Sequence, residues 1–345
     1  MDDNSRTEIG SLGEFGLIEH LTKNFELQHA FSVKGIGDDG AVIDNQGNMT
    51  VVSTDLLLEH VHFDLMYTPL IHLGYKSVIV NLSDIYAMNA TPKQVTVSIA
   101  VSNRFSVEAL EELYEGIHKA CDYYKVDLVG GDTTSSVKGL VISVTAIGEA
   151  PEEDLVYRDG AKQGDLICVS GDLGGAYLGL QLLEREKKIY IEHPEIQPEL
   201  EKHTYIVGRH LKPEARYDVI QALKENGIKP TAMIDLSDGL SSDLRHICKA
   251  SKVGALIDEA QLPIQDSAFD MALEFHIDPT TAMLNGGEDY ELLFTVAPEN
   301  KSKLEAIPGI TIIGEIMDTA HDIQLKTKQG KLHAIPAQGW NHLSS

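Results

Sequence analysis

Apolar runs that break off at an aspartate recur along this chain, and that pattern limits its fold more than any other feature. Asp55 closes Val51-Val52-Ser53-Thr54-Asp55 and Asp84 closes Val80-Asn81-Leu82-Ser83-Asp84. Asp132 follows Val129-Gly130-Gly131, and Asp235 and Asp238 stand in Ile234-Asp235-Leu236-Ser237-Asp238-Gly239. Asp38 and Asp39 lie in a glycine loop running from Gly35 to Gly40. Apolar runs are buried, whereas carboxylates are almost never fully buried unless paired. An aspartate at a strand end therefore points into a crevice where several elements meet. Any one of these residues is an ordinary turn or cap about two times in three, but turns alone do not require the pattern to recur. Several carboxylates delivered from separate loops are what Mg²⁺ needs, because it takes hard oxygen ligands and bridges to substrate phosphates.

Charge points the same way. The formal net charge is −25, from 28 basic and 53 acidic residues. Such an excess repels nucleic acid and anionic lipid, so neither is an expected partner. An acidic site can hold phosphates only where metal ions lie between the two sets of negative charge.

The local patterns predict mixed α and β structure. Ala41-Val42-Ile43, a turn at Asn45 to Asn48 and Thr50 to Ser53 form a hairpin. Ile71, Tyr75, Val78, Leu82 and Ile85 mark one face of a helix over Ile71 to Met88, and Glu14 to Phe25 has the same spacing. After Pro92, Val95, Val97, Ile99 and Val101 alternate as in a strand, and Ser106 is placed to cap a helix reaching Tyr124. Strands are expected at Val126 to Val129 and Leu140 to Ile147. The polar, turn-rich stretch from Pro151 to Gly164 separates domains at 1–150 and 151–345. In the second domain, strands are expected at Asp165 to Ser170, Gly254 to Ile257 and Tyr290 to Val296. Helices are expected after Gly175 and over Tyr217 to Asn226, with Glu184 to Glu201 as a charged surface excursion. The fold class is α+β, built of two mixed domains.

Cys121, Cys168 and Cys248 are far apart and odd in number, so free buried thiols in a reducing compartment are expected. The polar opening from Met1 to Gly10 and the lack of a long apolar run predict a cytoplasmic protein without a membrane span. Gly130-Gly131 and Gly286-Gly287 let backbone pass close to a ligand and could present peptide N–H groups to phosphate; tight turns are the plainer alternative. Gly171 to Gly175 lacks the Gly-Lys-Ser/Thr ending of a P-loop, and no protein-kinase His-Arg-Asp or Asp-Phe-Gly set is present.

Taken in order, these segments resemble the thiamine-monophosphate kinase family, within the superfamily that includes aminoimidazole ribonucleotide synthetase and selenophosphate synthetase. The matching pieces are Gly13-Glu14-Phe15, Gly35 to Val42, Ser53-Thr54-Asp55 with His62-Phe63, and Asn81 to Asp84 with Ala87-Met88. They continue with Gly130 to Thr134, Arg158 with Gly160-Ala161-Lys162, Ile234 to Leu240, and Gly286 to Leu292. The resemblance implies an N-terminal sheet domain that dimerises and a C-terminal α/β domain that closes over the nucleotide. Carried over by motif, Asp39, Thr54, Asp55, Asp84, Asp132, Asp235 and Asp238 would hold several Mg²⁺ ions. Gly131, Arg158 and Ser237, with Asp39 and Asp132, would contact ATP, and His62, Glu288 and Trp340 would contact thiamine monophosphate. The implied reaction transfers the ATP γ-phosphoryl group to thiamine monophosphate, giving thiamine diphosphate and ADP. Another ATP-dependent superfamily member, such as aminoimidazole ribonucleotide synthetase, is the nearest alternative. A non-catalytic protein binding metal or nucleotide is a further one.

Overall fold

The computed structural model describes residues 29–335 together with Gly16, Ile18, Glu19 and Thr22. Most of the helix expected over Glu14 to Phe25, and all of the tail carrying Trp340, lie outside the described residues.

Strands β1 (Ser32–Lys34), β2 (Ala41–Asp44), β3 (Met49–Leu58), β4 (Thr91–Val101), β5 (Asp127–Ser135) and β6 (Val141–Ala150) make a first sheet. Its order is β1-β2-β3-β6-β4-β5. β2 and β3 are the expected hairpin, with Ala41 opposite Val52. β4 pairs in parallel with β5 and antiparallel with β6. Val95, Val97 and Ile99 face inward, as the alternation predicts.

Two helices cover that inner face: α1 (Leu70–Ala87) and α2 (Val107–Tyr124), whose N-cap Ser106 accepts the Ala109 N–H. They cross very closely. A Cβ on Gly74 would collide with the Leu113 carbonyl, and one on Gly116 with the Ile71 carbonyl. Glycine at both positions is what lets the two backbones touch. From Leu73 through Ser83 every residue of α1 is buried, so this helix is enclosed on all sides rather than along one stripe.

The second sheet contains β7 (Leu166–Ser170), β8 (Ala232–Asp235), β9 (Gly254–Asp258), β10 (Leu292–Val296), β11 (Ile310–Met317), β12 (Ile323–Lys326) and β13 (Leu332–Ala334). Their order is β13-β12-β9-β11-β7-β10-β8. β7, β8 and β10 are buried on both faces: Ile167, Ile234 and Leu293 join one apolar cluster, and Cys168, Met233 and Phe294 join another. Helices α3 (Gly175–Glu192), α4 (Thr204–Leu211), α5 (Tyr217–Glu225), α6 (Leu240–Ser251), α7 (Asp266–Glu274), α8 (Pro279–Asn285) and the short α9 (Lys301–Leu304) complete this half. The charged excursion expected from Glu184 begins as the last two turns of α3, which carry Glu184 and Lys187 toward the centre of the molecule. All three cysteines are free and buried. Among the described residues no helix is long and apolar enough to cross a membrane.

The halves are joined firmly. Tyr75 and Tyr124, from α1 and α2, both donate to Glu214, at 2.5 and 2.9 Å. Tyr86 packs against Tyr124 and Tyr217 with ring centroids 6.2 and 5.9 Å apart.

Filling the helix crossing should cost more than it returns. Gly74→Ala should lower unfolding free energy by about 1–3 kcal/mol through overpacking, even though alanine favours a helix by about 1 kcal/mol. The urea midpoint checks this, and a rise would contradict the close crossing.

Candidate active site

The aspartates singled out in the sequence come from different elements and most of them meet. Asp55 lies on the helix-covered face of β3 with Ser53 and Leu57, and α1 contributes Asp84 from the same buried turn as Asn81 and Ser83. β8 ends on Asp235, and the loop before β2 supplies Asp39. One carboxylate oxygen from each of Asp39, Asp84 and Asp235 lies within 4.8 Å of the others. Neighbouring hydroxyls hold them: Ser83 Oγ donates to Asp235 Oδ2 at 2.7 Å, and Ser53 Oγ donates to Asp84. The Asn81 side-chain carbonyl accepts the Asp55 backbone N–H at 2.9 Å, fixing α1 against β3. Three polar residues in four positions of a buried helix thus each have a specific partner in the site wall.

One cation faces this group. Arg158 grips Asp39 with both arms of its fork, Nε to Oδ2 at 3.1 Å and Nη2 to Oδ1 at 2.5 Å. Asp38 lies against the same arginine, Oδ1 3.9 Å from Nε and Oδ2 accepting the Arg158 backbone N–H at 3.4 Å, and also pairs with Lys34 at 3.1 Å. Burial drives the Asp39 carboxyl above its usual range although Arg158 opposes the shift. Burial and the charges of Asp55, Asp235 and Asp39 push Asp84 well up. Burial, then Asp39, push Asp235 up to about 8. These groups resist ionising together, as clustered carboxylates do when no cation lies among them. Such a donor set fits Mg²⁺, which would supply the missing positive charge through oxygen ligands.

The cluster forms one end of a cavity of about 1080 Å³ that also contacts Thr54, Asp55, His62, Arg158, Ser237, Asp238 and Glu288. His62 Nδ1 accepts the Leu58 N–H at 3.0 Å, which makes Nε2 the protonated ring nitrogen when the imidazole is neutral. Ser237 and Glu288 are tied by the Glu288 N–H donating to the Ser237 carbonyl at 2.7 Å. The cavity is lined as well by Val61, Phe63, Tyr177 and Leu180, with Lys187 bridging Asp64 at 2.8 Å and Glu184 at 3.4 Å.

Gly131 and Asp132 do not line this cavity. The Gly130-Gly131 pair is neither a turn nor a loop but the middle of β5, an exposed edge strand. A Cβ on Gly131 would run into the Val97 carbonyl, so glycine serves strand pairing there. Across the sheet Asp132 aligns with Ser98, Ser143 and Leu56, which puts it on the uncovered outer face shared with Thr54. Trp340 falls outside the described residues.

Several groups around the cavity carry no motif that would single them out in the sequence. Asp243 on α6 is buried and accepts the N–H groups of Asp238 and Gly239 at 3.2 and 3.1 Å, which shapes the Ser237-Asp238 turn. Its only sequence signal is an acidic residue in a first helical turn. Lys76, buried on α1, and His210, on α4, both reach Glu288.

Relatives share the whole arrangement of the chain. The family description "AIR synthase related protein, N-terminal domain" matches residues 37–150, and its C-terminal counterpart matches residues 162–325. Thiamine-monophosphate kinase of Buchnera aphidicola subsp. Schizaphis graminum is 38% identical, covering 95% of this chain and 98% of its own. The Bacillus subtilis protein of that name is 35% identical over 96% and 99%. The solved structure of AaThiL complexed with AMPPCP and TMP superposes with a TM-score of 0.83 at 32% identity, covering 98% of this chain and 99% of that one. Relatedness of that extent, running through both sheets and the carboxylate cluster between them, makes this chain a member of the thiamine-monophosphate kinase family.

Proposed function

We propose that this chain transfers the γ-phosphoryl group of ATP to the phosphate of thiamine monophosphate, forming thiamine diphosphate and ADP. The observation that carries this is the meeting of Asp39, Asp84 and Asp235 in a cavity large enough for two substrates. Family membership and the AaThiL complex with AMPPCP and TMP support the choice of substrates.

Asp39, Asp55, Asp84, Asp235 and Asp238 would hold Mg²⁺, whereas the Thr54 hydroxyl donates to the Val144 carbonyl at 3.0 Å on the outer face and would serve a metal only there, beside Asp132. Mg²⁺ held by the five aspartates would supply positive charge that neutralises and aligns two anionic substrates, whose mutual repulsion is the main obstacle to joining phosphates. Arg158 offers a fixed planar cation to phosphate oxygens, and Ser237 offers a hydroxyl. His62 and Glu288 would receive the thiamine phosphate, and Trp340 would stack on one of its rings. The acceptor oxygen is already anionic near neutral pH, so no general base is needed. Ser53 and Ser83, whose hydroxyls are paired with carboxylates, are buried and donate to Asp84 and Asp235. With the cysteines buried as well, direct in-line transfer is favoured over a phospho-enzyme, and catalysis comes from positioning and electrostatics.

The same reading includes a homodimer. Among the described residues β5 has an unpaired edge, and Leu56, Leu128 and Val129 are exposed on this sheet. An open apolar edge of this kind normally becomes covered. Dimerisation through the outer face is the arrangement in which Gly131 and Asp132 would reach a nucleotide.

Three outcomes are expected. Chromatography should find thiamine diphosphate and ADP in equal amounts with Mg²⁺, and Asp84→Asn or Asp235→Asn should reduce kcat by roughly 10²–10³-fold. ATP hydrolysis without diphosphate would discard the acceptor, and a labelled protein chasing into product would discard direct transfer. Sedimentation should give twice the 37.8 kDa chain mass, and a monomer would remove the dimer. Because Asp235 titrates near 8 when folded and near 3.8 when free, the folded state holds the extra proton between those values. Stability of metal-free protein should therefore fall as pH rises from 6 to 8. Added Mg²⁺ should raise Tm most at the upper end, and equal Tm at both pH values without metal would contradict the cluster.

A further inference from the structure

Glu288 is held in a way that ordinary loop residues are not. Its backbone and that of Tyr290 lie in the left-handed region, at φ 63° and 50°, a conformation that is strained for any residue but glycine. The segment is pinned to bear this. The Tyr290 N–H donates to the Leu236 carbonyl at 2.9 Å. Asp289 accepts the Gly174 and Ala176 N–H groups at the start of α3, at 2.7 and 3.3 Å. Glu291 is gripped by Arg209 at 3.0 Å and also by Arg216.

The side chain is fixed as firmly, from both halves of the molecule. Lys76 Nζ, on α1, lies 3.1 Å from Glu288 Oε2 and also donates to the His210 carbonyl at 3.1 Å. His210 Nδ1, on α4, lies 3.0 Å from the same oxygen. Both side chains are only 3% exposed, whereas Glu288 is 26% exposed and faces the cavity. Among the described residues, Oε1 accepts no hydrogen bond. A purely structural buried pair gains little over apolar residues of the same shape and would enclose both partners. Here both groups lie within 3.1 Å of one oxygen of a residue that lines the cavity, and the other oxygen accepts nothing among the described residues.

Resting on the function proposed above, we infer that Lys76 and His210 are positioning residues: they clamp Glu288 Oε2 from two sides so that Oε1 accepts an N–H of the substrate's aminopyrimidine. Burial opposes the ionised carboxylate, but Lys76 and His210 outweigh it and hold the Glu288 carboxyl well below its usual range. It is therefore an acceptor at any working pH. A carboxylate acceptor rewards an amino group and penalises a carbonyl at the same place, because two acceptors would then face each other without a proton.

The test compares thiamine monophosphate with its 4-oxo analogue, in which a carbonyl replaces the amino group, in wild type, Lys76→Met, His210→Leu and His210→Asn. Wild type should prefer the amino substrate by at least roughly 100-fold in kcat/KM. In Lys76→Met and His210→Leu that preference should fall at least tenfold. KM for thiamine monophosphate should rise while KM for ATP stays within about twofold. His210→Asn, which keeps a donor near the Nδ1 position, should retain most of the preference. An unchanged preference in folded Lys76→Met, or equal losses toward both acceptors, would overturn the inference. If Lys76→Met does not fold, His210→Leu decides by the same comparison. A wild type that makes diphosphate without preferring the amino acceptor would sink the clamp alone, whereas one that makes no diphosphate would remove the parent function and the clamp with it.

Discussion

Like charges buried together are the constraint around which this molecule is built. Asp39, Asp84 and Asp235 stand close enough to share one cation, in surroundings where burial alone disfavours their ionised forms. No fold gains stability from that arrangement. It survives because each carboxylate is positioned by an element stabilised elsewhere: β8 by the second sheet, α1 by its enclosure, and the Asp39 loop by Arg158. The apolar clusters supply the stability and the site draws on it, which is the usual division where function needs strain.

Helix α1 carries more of this than any other element. Its small residue Gly74 admits α2, its apolar side chains pack on the first sheet, and its polar face is a row of specific contacts. Asn81 meets β3, Ser83 meets β8, Ser53 meets Asp84, and Lys76 meets the segment before β10. A helix so enclosed has no solvated side on which a polar residue can be idle. Each buried polar group must have a partner, and here the partners are the site. The junction through Tyr75, Tyr124 and Glu214 holds the same helix against the second half.

How far this was legible in the sequence depends on the range of the interaction. Alternation located β4, the turn residues located the β2–β3 hairpin, and Ser106 located the start of α2, because each is decided by near neighbours. Recurring aspartates at the ends of apolar runs announced a common crevice, and ten of the singled-out site residues do line one cavity. Gly130-Gly131 misled because glycine pairs suggest loops, whereas Gly131 is required by the backbone of the neighbouring strand. Lys76 was invisible for a different reason. A 3.6-residue period reveals one buried face, and a lysine off that face looks solvated; only the packing of the second half over α1 buries it. Glu184 and Lys187 were hidden likewise, since a charge-rich helix end resembles surface until something folds beside it. Pairings such as Ser83 with Asp235 span 152 residues and leave no local trace.

The first sheet also has a place in time. All six of its strands, and both helices that cover it, lie before residue 151, so ribosomal synthesis delivers them as a set. Asp39, Asp55 and Asp84 are therefore all made well before Asp235. Until the second half closes over them, carboxylates left open to water are hydrated and ionised at little cost. The expense of crowding charge falls due only when the second half is made and closes over them, bringing its own arginine with the last aspartate.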